Sequence, residues 1–280
     1  MTFLLDVVVP VLIPSEHIEP FQENIVEIVP GLRINYVLDF AFCVDTPKVP
    51  LKIRQSSERA FSGNFASPGV ARNEALKSCD SPYLCFWDID DFPKPQDYIS
   101  LILQMRASNA DVGIGKWKFA GERNNPHGNL ATDVANFPGI WRFIFKRDFV
   151  KDLFFTELNW GEDQLYLMEV FSRNPKVELY DKVLYDYSEY SLGSLTSKGY
   201  HVVDLFKANR EGMQLVKQMR GSFRLCGEIM LLKQIYSMFR YGGVKLGYKS
   251  LLNYLFNSPS RMYLFTSILQ YAYFRKAWKR

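Results

Sequence analysis

Three carboxylates stand together in Trp87-Asp88-Ile89-Asp90-Asp91, directly after the apolar run Tyr83-Leu84-Cys85-Phe86. Acids at the end of a hydrophobic segment repel one another and resist desolvation unless a cation or a hydrogen-bonding ligand takes up the charge. A strand that delivers Asp-x-Asp to its C-terminal end suits a hard divalent metal, which prefers oxygen ligands and commonly shares them with phosphate. The competing reading is an acidic turn, with Asp91 capping the helix that starts near Pro93-Lys94-Pro95. A second acidic pair, Glu162-Asp163, opens a helical pattern. Acids in a first helical turn are favoured by the helix dipole whatever else they do.

The elements that must position these residues follow from hydrophobic periodicity. Asp6 to Ile13 reads as a buried first strand, with a helix over about Glu16 to Val29. Ile34 to Val44 is a second strand ending at Asp45, and a short strand surrounds Leu51-Lys52-Ile53. Ser56 to Gly63 reads as a Ser/Gly-rich loop. A helix then enters through Ser67-Pro68-Gly69 and runs to Ser78, with Ser67 as N-cap and Pro at N1. Pro82 to Trp87 is the strand that carries the acids. Asp97 to Ser108 reads as a helix, Ala110 to Phe119 as a strand, Asn124 to Gly139 as a polar mobile loop, Ile140 to Phe145 as a strand and Glu162 to Phe171 as a helix. Alternation of this kind predicts right-handed βαβ units and a parallel sheet, with ligands at the carboxyl ends of the strands. Asp45, Asp88 and Asp90 fall there.

At 280 residues the chain has room for one sizeable α/β domain and an appendage. The cysteines Cys43, Cys79, Cys85 and Cys226 form no Cys-x-x-Cys pair, and three of them sit in or near apolar runs, which argues for a reducing compartment and against a disulfide framework or a zinc site. Met1-Thr2-Phe3-Leu4-Leu5-Asp6 lacks a basic region and is not expected to be a signal peptide. No apolar stretch approaches the ~20 residues of a membrane-spanning helix. The expected compartment is the cytoplasm. A net charge of +4 hides an asymmetry: from His201 onward there are 14 Lys and Arg against three acids, or +11, whereas the first 200 residues carry −7. That shift predicts a boundary, with residues 1–200 as the α/β domain and residues 201–280 as a basic, aromatic-rich helical extension.

The motifs, taken in order, resemble family 2 glycosyltransferases with the GT-A fold, of the bacterial polysaccharide or lipopolysaccharide type. The resemblance rests on the Val7-Val8-Val9-Pro10 strand, Gly69-Val70-Ala71-Arg72-Asn73, Phe86-Trp87-Asp88-Ile89-Asp90-Asp91, Gly161-Glu162-Asp163, and Leu184-Tyr185-Asp186-Tyr187 followed by Gly193-Ser194-Leu195-Thr196. It covers roughly residues 5 to 200. It implies a Rossmann-like, mixed but mostly parallel sheet flanked by helices. It also implies an inverting, metal-dependent transfer of a hexose or N-acetylhexosamine from a nucleotide-sugar, most simply a UDP-sugar, to a surface polysaccharide or lipopolysaccharide. By the same resemblance Asp88 faces the ribose or base side of the donor, and Asp90 binds Mn²⁺ or Mg²⁺ bridging the diphosphate. Asp163 is the base that takes the acceptor's proton, with Glu162 as orienter or as a hydrogen-bond partner of the acceptor. Pro10 and Arg72 line the donor site, Arg72 on diphosphate or base, its alternative being an exposed helix arginine. A carboxylate after the second strand reads the nucleobase, and Asp45 is preferred to Asp39.

Departures from the family pattern are informative. The first strand continues Pro10-Val11-Leu12-Ile13-Pro14, the second ends Val44-Asp45-Thr46-Pro47, and Ser188-Glu189-Tyr190 stands where many members place a metal-binding His. The third metal ligand is therefore open, with His201 either a candidate or a boundary residue. No Gln-x-x-Arg-Trp motif of processive synthases is present.

Beyond Asp204 the chain reads as consecutive helices, with Phe223, Cys226, Met230, Leu231, Ile235 and Phe239 on one apolar face. Bases mixed with Trp, Tyr and Phe fit a peripheral hold on anionic lipid at the inner face of the plasma membrane, near a glycan or lipid-linked glycan acceptor. A structural cap and a dimer interface are the alternatives. No nucleic-acid module surrounds the bases. A catalytically silent GT-A-like module that binds nucleotide-sugar or partner enzymes is the rival to an enzyme.

Overall fold

The computed structural model describes residues 3–13, 15–25, 29–41, 51–53, 56–65, 67–119, 123–124, 129–188 and 201–257. The chain packs as two compact units. One comprises Met1–Pro126, Ile140–Glu157 and Pro175–Leu192; the other comprises His127–Gly139, Leu158–Asn174 and Gly193–Arg280.

The first unit is built on a nine-stranded mixed sheet. Its strands are β1 (Leu5–Leu12), β2 (Leu32–Asp39), β3 (Glu58–Gly63), β4 (Tyr83–Phe86), β5 (Phe92–Pro93), β6 (Val112–Phe119), β7 (Arg123–Asn124), β8 (Phe143–Lys146) and β9 (Val177–Tyr187). Their order is β3-β2-β1-β4-β8-β6-β9-β5, with β7 paired to β6. The longer ladders are parallel: β1 with β2, β4 with β1, β3 with β2 and β9 with β6. β1 and β2 are buried along most of their length because both faces of a central parallel strand are covered, and Leu5, Val7, Val8, Val9 and Val11 are all fully buried. Helices α1 (Ile18–Asn24), α2 (Pro68–Leu76), α3 (Pro95–Ser108) and α5 (Arg147–Val150) belong to this unit.

Pro10 lies inside β1, and the pairing explains why it is tolerated. The Trp87 N–H donates to the Val8 carbonyl at 3.0 Å, just past the last β1–β4 pair, Val8 with Phe86. Pro10, two residues on, turns its nitrogen to the same edge where β4 has already ended. Its missing N–H costs no ladder bond. Gly115 in β6 marks a close approach of another kind: a Cβ there would lie 2.1 Å from Leu184 Cγ, where the β6–β9 register shifts.

At the N-terminal end of the sheet the register sets Asp6 opposite Arg33. Arg33 Nε and Nη2 donate to the two Asp6 oxygens at 2.6 and 2.8 Å, and Asn35 Nδ2 and the N–H groups of Asp80 and Ser81 add three more bonds to the same carboxylate. Burial alone would raise the Asp6 pKa. The bonds from Arg33, Ser81 and Asn35 outweigh it, and the carboxyl lies below its ordinary value.

The second unit is helical: α4 (Leu130–Asn136), α6 (Glu162–Ser172), α7 (Val202–Val216) and α8 (Gly221–Asn257). Leu158, Leu165 and Ala208 form a buried cluster with Leu215 against it. Asn209 donates to the Leu231 carbonyl and to Gln234, each at 3.0 Å, tying α7 to α8. Lys233 Nζ donates to the Ala135 and Asn136 carbonyls at the end of α4, where a helix leaves its last acceptors unpaired.

Several local expectations change. Residues 51–53 form no strand, and the third strand is instead β3, inside the stretch read as a loop. A polar edge strand is held by main-chain pairing to β2 rather than by side-chain burial, so its composition hides it. α4 occupies the stretch read as a mobile loop, with the Asn129 side chain accepting from Ala131 N–H as its N-cap and Ala131, Val134 and Ala135 buried. The first helix stops at Asn24 and the second strand at Asp39. The helical face proposed for α8 is present: Cys226, Met230, Leu231 and Ile235 are buried. Cys79, Cys85 and Cys226 are buried free thiols, and Cys43 lies outside the described residues.

Candidate active site

β4 ends at Phe86 and releases the chain into a turn closed by the Asp91 N–H to the Asp88 carbonyl at 3.4 Å. Trp87, fully buried, packs edge-on to Tyr98 with ring centroids 5.2 Å apart. That anchor fixes where the following acids emerge. The Asp88 N–H donates to Tyr185 Oη at 2.9 Å, and the Asp88 carboxylate accepts from Arg72 Nη2 at 3.2 Å. Arg72 is buried rather than an exposed helix arginine, with 3% of its surface accessible. α2 delivers it, capped at Ser67, whose hydroxyl accepts from Val70 N–H. Its guanidinium sits 5.3 Å over the Phe155 ring. Asn73, next along α2, holds the Phe155 backbone through two bonds of 2.8 Å, one donated and one accepted. Arg72 and Asn73 thus work as neighbours, one pairing with the acid and the other fixing the aromatic ring beside it.

Asp91 does not cap α3, which begins at Pro95 after Lys94. It ties the turn to the end of β9 instead, Oδ1 accepting from Ser188 N–H at 2.7 Å. Its other oxygen, Oδ2, is buried with no partner. Burial, then the Asp88 charge, push the Asp91 carboxyl up to about 8, with Ser188 pulling the other way and Asp90 adding to the rise. Behind the acids stands a wall of rings. Trp141 stacks on Tyr185 at 4.5 Å and 9°, and Trp117 packs edge-on to Trp141 at 5.4 Å. Burial and the three acids push the Tyr187 hydroxyl up to about 12.

This donor set fits a hard divalent cation. It offers carboxylate oxygens in one turn, with one buried Asp91 oxygen unpaired and the ionisation of Asp91 opposed by burial and by Asp88. Asp88 and Asp90 are the partly exposed members. Among the described residues no group of three or more His, Cys, Asp or Glu side chains is arranged around one metal position. A cation here would take one or two oxygens from the protein and the rest from diphosphate and water.

The remaining site residues divide as follows. Asp39 ends β2, and its carboxylate accepts from Ala41 N–H and Phe65 N–H at 3.0 and 2.9 Å. Asp45 and Gly193 to Thr196 lie outside the described residues. Glu162 and Asp163 form the first turn of α6 in the helical unit, with Gly161 at the N-cap in the left-handed region, φ +94°. A Cβ at Gly161 would meet Ala208 and Leu205 at 3.1 and 3.2 Å, so both conformation and space call for glycine. His201 precedes α7, with Nδ1 3.9 Å from the Asp204 carboxylate. Sequence reading passed over the roles of Tyr185, Asn73 and Phe155. The first two stood inside recognised motifs, whereas Phe155 carried no signal.

The sheet order, with the carboxylate turn at the end of β4, gives a GT-A fold. Residues 60–173 match the model of glycosyl transferase family 2. A poly(ribitol-phosphate) beta-glucosyltransferase of Bacillus spizizenii is 25% identical over 136 residues, which is 44% of this chain and 21% of that protein. The chain thus spans about a fifth of the length of that relative. Among solved structures, residues 1–349 of S. aureus TarS in complex with UDP-GlcNAc superpose with a TM-score of 0.66 at 17% identity, covering 85% of this chain and 73% of that one. The mannosyltransferase PcManGT of Pyrobaculum calidifontis, in complex with GDP-Man and Mn²⁺, gives 0.54 at 12% identity, covering 96% and 84%. Glucosyl-3-phosphoglycerate synthase of Mycobacterium tuberculosis, in complex with Mn²⁺, UDP-glucose and phosphoglyceric acid, gives 0.51 at 15% identity, covering 79% and 82%.

Proposed function

We propose that the protein is an inverting, metal-dependent glycosyltransferase that moves a hexose or N-acetylhexosamine from a UDP-sugar to a surface polysaccharide or lipopolysaccharide acceptor. The observation that carries this reading is the Arg72-paired Asp88 in a three-acid turn at the carboxyl end of β4, on a GT-A sheet. UDP-sugars and Mn²⁺ in the complexes of structural relatives support the donor and metal classes, and the poly(ribitol-phosphate) glucosyltransferase relative supports a polymeric acceptor. Asp88 and Asp90 would hold Mn²⁺ or Mg²⁺. Bound there, the ion offsets the charge that develops on the leaving nucleoside diphosphate. Arg72 fixes the Asp88 carboxylate and presents a guanidinium suited to phosphate oxygens. Pro10 and a carboxylate beyond β2, Asp45 in preference to Asp39, complete the donor side. Asp163 accepts the acceptor hydroxyl's proton as that oxygen attacks the anomeric carbon from the face opposite the diphosphate, and Glu162 orients the acceptor. Retaining glycosyl transfer would need a different arrangement of groups, so product stereochemistry is itself a check. The place of action is the cytoplasm, at the inner membrane face.

The test is thermal unfolding with UDP, GDP, dTDP and CMP, each with Mn²⁺, Mg²⁺ or EDTA. A ligand that binds only the folded state raises the melting temperature by mass action. A shift with UDP that EDTA abolishes supports the site, and no shift with any nucleotide overturns it. Asp163→Asn should cut transfer by about 10²–10⁴-fold while leaving the UDP shift intact. Normal transfer by that variant would remove Asp163 from the role of base.

A further inference from the structure

Beyond Gly243, where φ is +77°, α8 carries two opposite faces. Gly247, Ser250 and Tyr254 are buried. Ser250 Oγ donates to the Leu246 carbonyl, and the Tyr254 hydroxyl donates to the buried Glu228 carboxylate. On the other side, a four-residue spacing aligns Val244, Tyr248, Leu252 and Phe256, which are 67, 57, 48 and 81% exposed. Tyr241, at 40%, extends the stripe past the break. Lys245 and Lys249 are exposed along one flank, and Lys249 Nζ sits 5.0 Å over the Phe206 ring.

A row of exposed large apolar side chains on a soluble domain marks a contact surface. Its charge says with what. From residue 229 to residue 280 the sequence holds no Asp or Glu and nine Lys and Arg. A second copy of the chain is a poor occupant, because a two-fold contact on this face would set Lys245 and Lys249 against their own equivalents, with no acid on α8 beyond Glu228 to offset them. Residues 258–280 are equally poor, since they add Arg261, Arg275, Lys276, Lys279 and Arg280 and no acid. An apolar stripe flanked by lysines and aromatics matches a helix lying in the boundary of an anionic bilayer. No described helix is long and apolar enough to cross a membrane, and the contact is one of lying on the surface.

We infer that this face of α8 is the membrane-docking surface of the protein. Val244, Tyr248, Leu252 and Phe256 enter the boundary between headgroups and acyl chains, and Lys245 and Lys249 meet lipid phosphates. The inference deepens the proposed action at a membrane-held acceptor and rests on it for purpose, but its test does not.

The full chain is sedimented with vesicles of phosphatidylcholine alone or with added phosphatidylglycerol. Binding to the anionic vesicles that weakens with salt is expected. Leu252→Ser/Phe256→Ser should lower the partition by at least about tenfold, and Lys245→Glu/Lys249→Glu by about tenfold on anionic vesicles. Both variants should keep wild-type melting and the wild-type UDP shift, since all four side chains are exposed. A Phe256→Trp variant quenched by brominated lipid would place the stripe in the bilayer directly. Wild-type binding by both double variants, an absence of quenching, or a dimer lost in Leu252→Ser/Phe256→Ser with vesicle binding unchanged would each overturn the inference. Loss of the nucleotide shift in the wild type would overturn the transferase reading and leave vesicle binding as it is.

Discussion

Two buried acids sit at opposite ends of the same sheet and are treated in opposite ways. Asp6, at the N-terminal end of β1, receives both arms of Arg33, an amide side chain and two backbone N–H groups, and its carboxyl is held below the ordinary range. Asp91, just past the C-terminal end of β4, has one oxygen bonded to Ser188 N–H and the other unpaired, and its carboxyl is pushed up to about 8. The first arrangement spends polar groups on holding strands in register. The second leaves a carboxyl oxygen without a partner beside two further acids, at the turn where the proposed cation would bind. Both lie in the same packing unit, so burial alone does not separate them; the supply of donors does.

The contrast is best broken at its stable end. Arg33→Met should leave Asp6 buried without its counter-charge and cost about 3–5 kcal/mol, read from urea unfolding, whereas Asp6→Leu/Arg33→Met should recover much of that loss. Because the folded Asp6 pKa is lowered, its contribution is present above its unfolded value near 3.8 and is lost as pH falls through the folded value. The wild type should therefore show an acid limb in stability that Asp6→Leu/Arg33→Met lacks.

At the other end, Asp90→Ala should abolish the metal-dependent nucleotide shift and lower transfer by at least about a hundredfold. Its own melting temperature in EDTA should match or exceed wild type. A large loss of stability would show that the turn is a structural device after all. Asn73→Ala is expected to cost about 1–3 kcal/mol, since it strips two bonds from the Phe155 backbone. By loosening the ring beside Arg72 it should also weaken UDP binding more than it lowers turnover. The smallest effect is at Asp91. Asp91→Asn keeps the acceptor for Ser188 and replaces a buried carboxyl whose ionisation the neighbouring acids oppose, and should raise stability in EDTA by about 1 kcal/mol.

Much of this was legible in residue types. The buried runs of β1 and β2, the Ser67 cap of α2, the acid pair opening α6 and the apolar face of α8 are local signals, written within a few turns or a few strand residues. β3 and α4 were not legible. The first is held by main-chain pairing, which composition does not record, and the second is a short helix whose Gly-, Pro- and Asn-rich surroundings outweigh its Asn129 cap. Arg72 shows the same limit at the site. Its type and motif point to phosphate, but its burial and its bond to Asp88 depend on how α2 packs beside the end of β4.

The sequence by itself determined the alternation of strands and helices, the acidic turn that follows a buried strand, and the basic, acid-free stretch after residue 228, because each is a property of neighbours along the chain. Only the tertiary structure decided which acids are satisfied. Asp6 meets Arg33 27 residues away, Asp88 meets Arg72 16 residues away, and Asp91 meets Ser188 97 residues away. Those partnerships are set by strand register and helix packing, and a one-residue slip would have exchanged the balanced carboxylate for an unbalanced one.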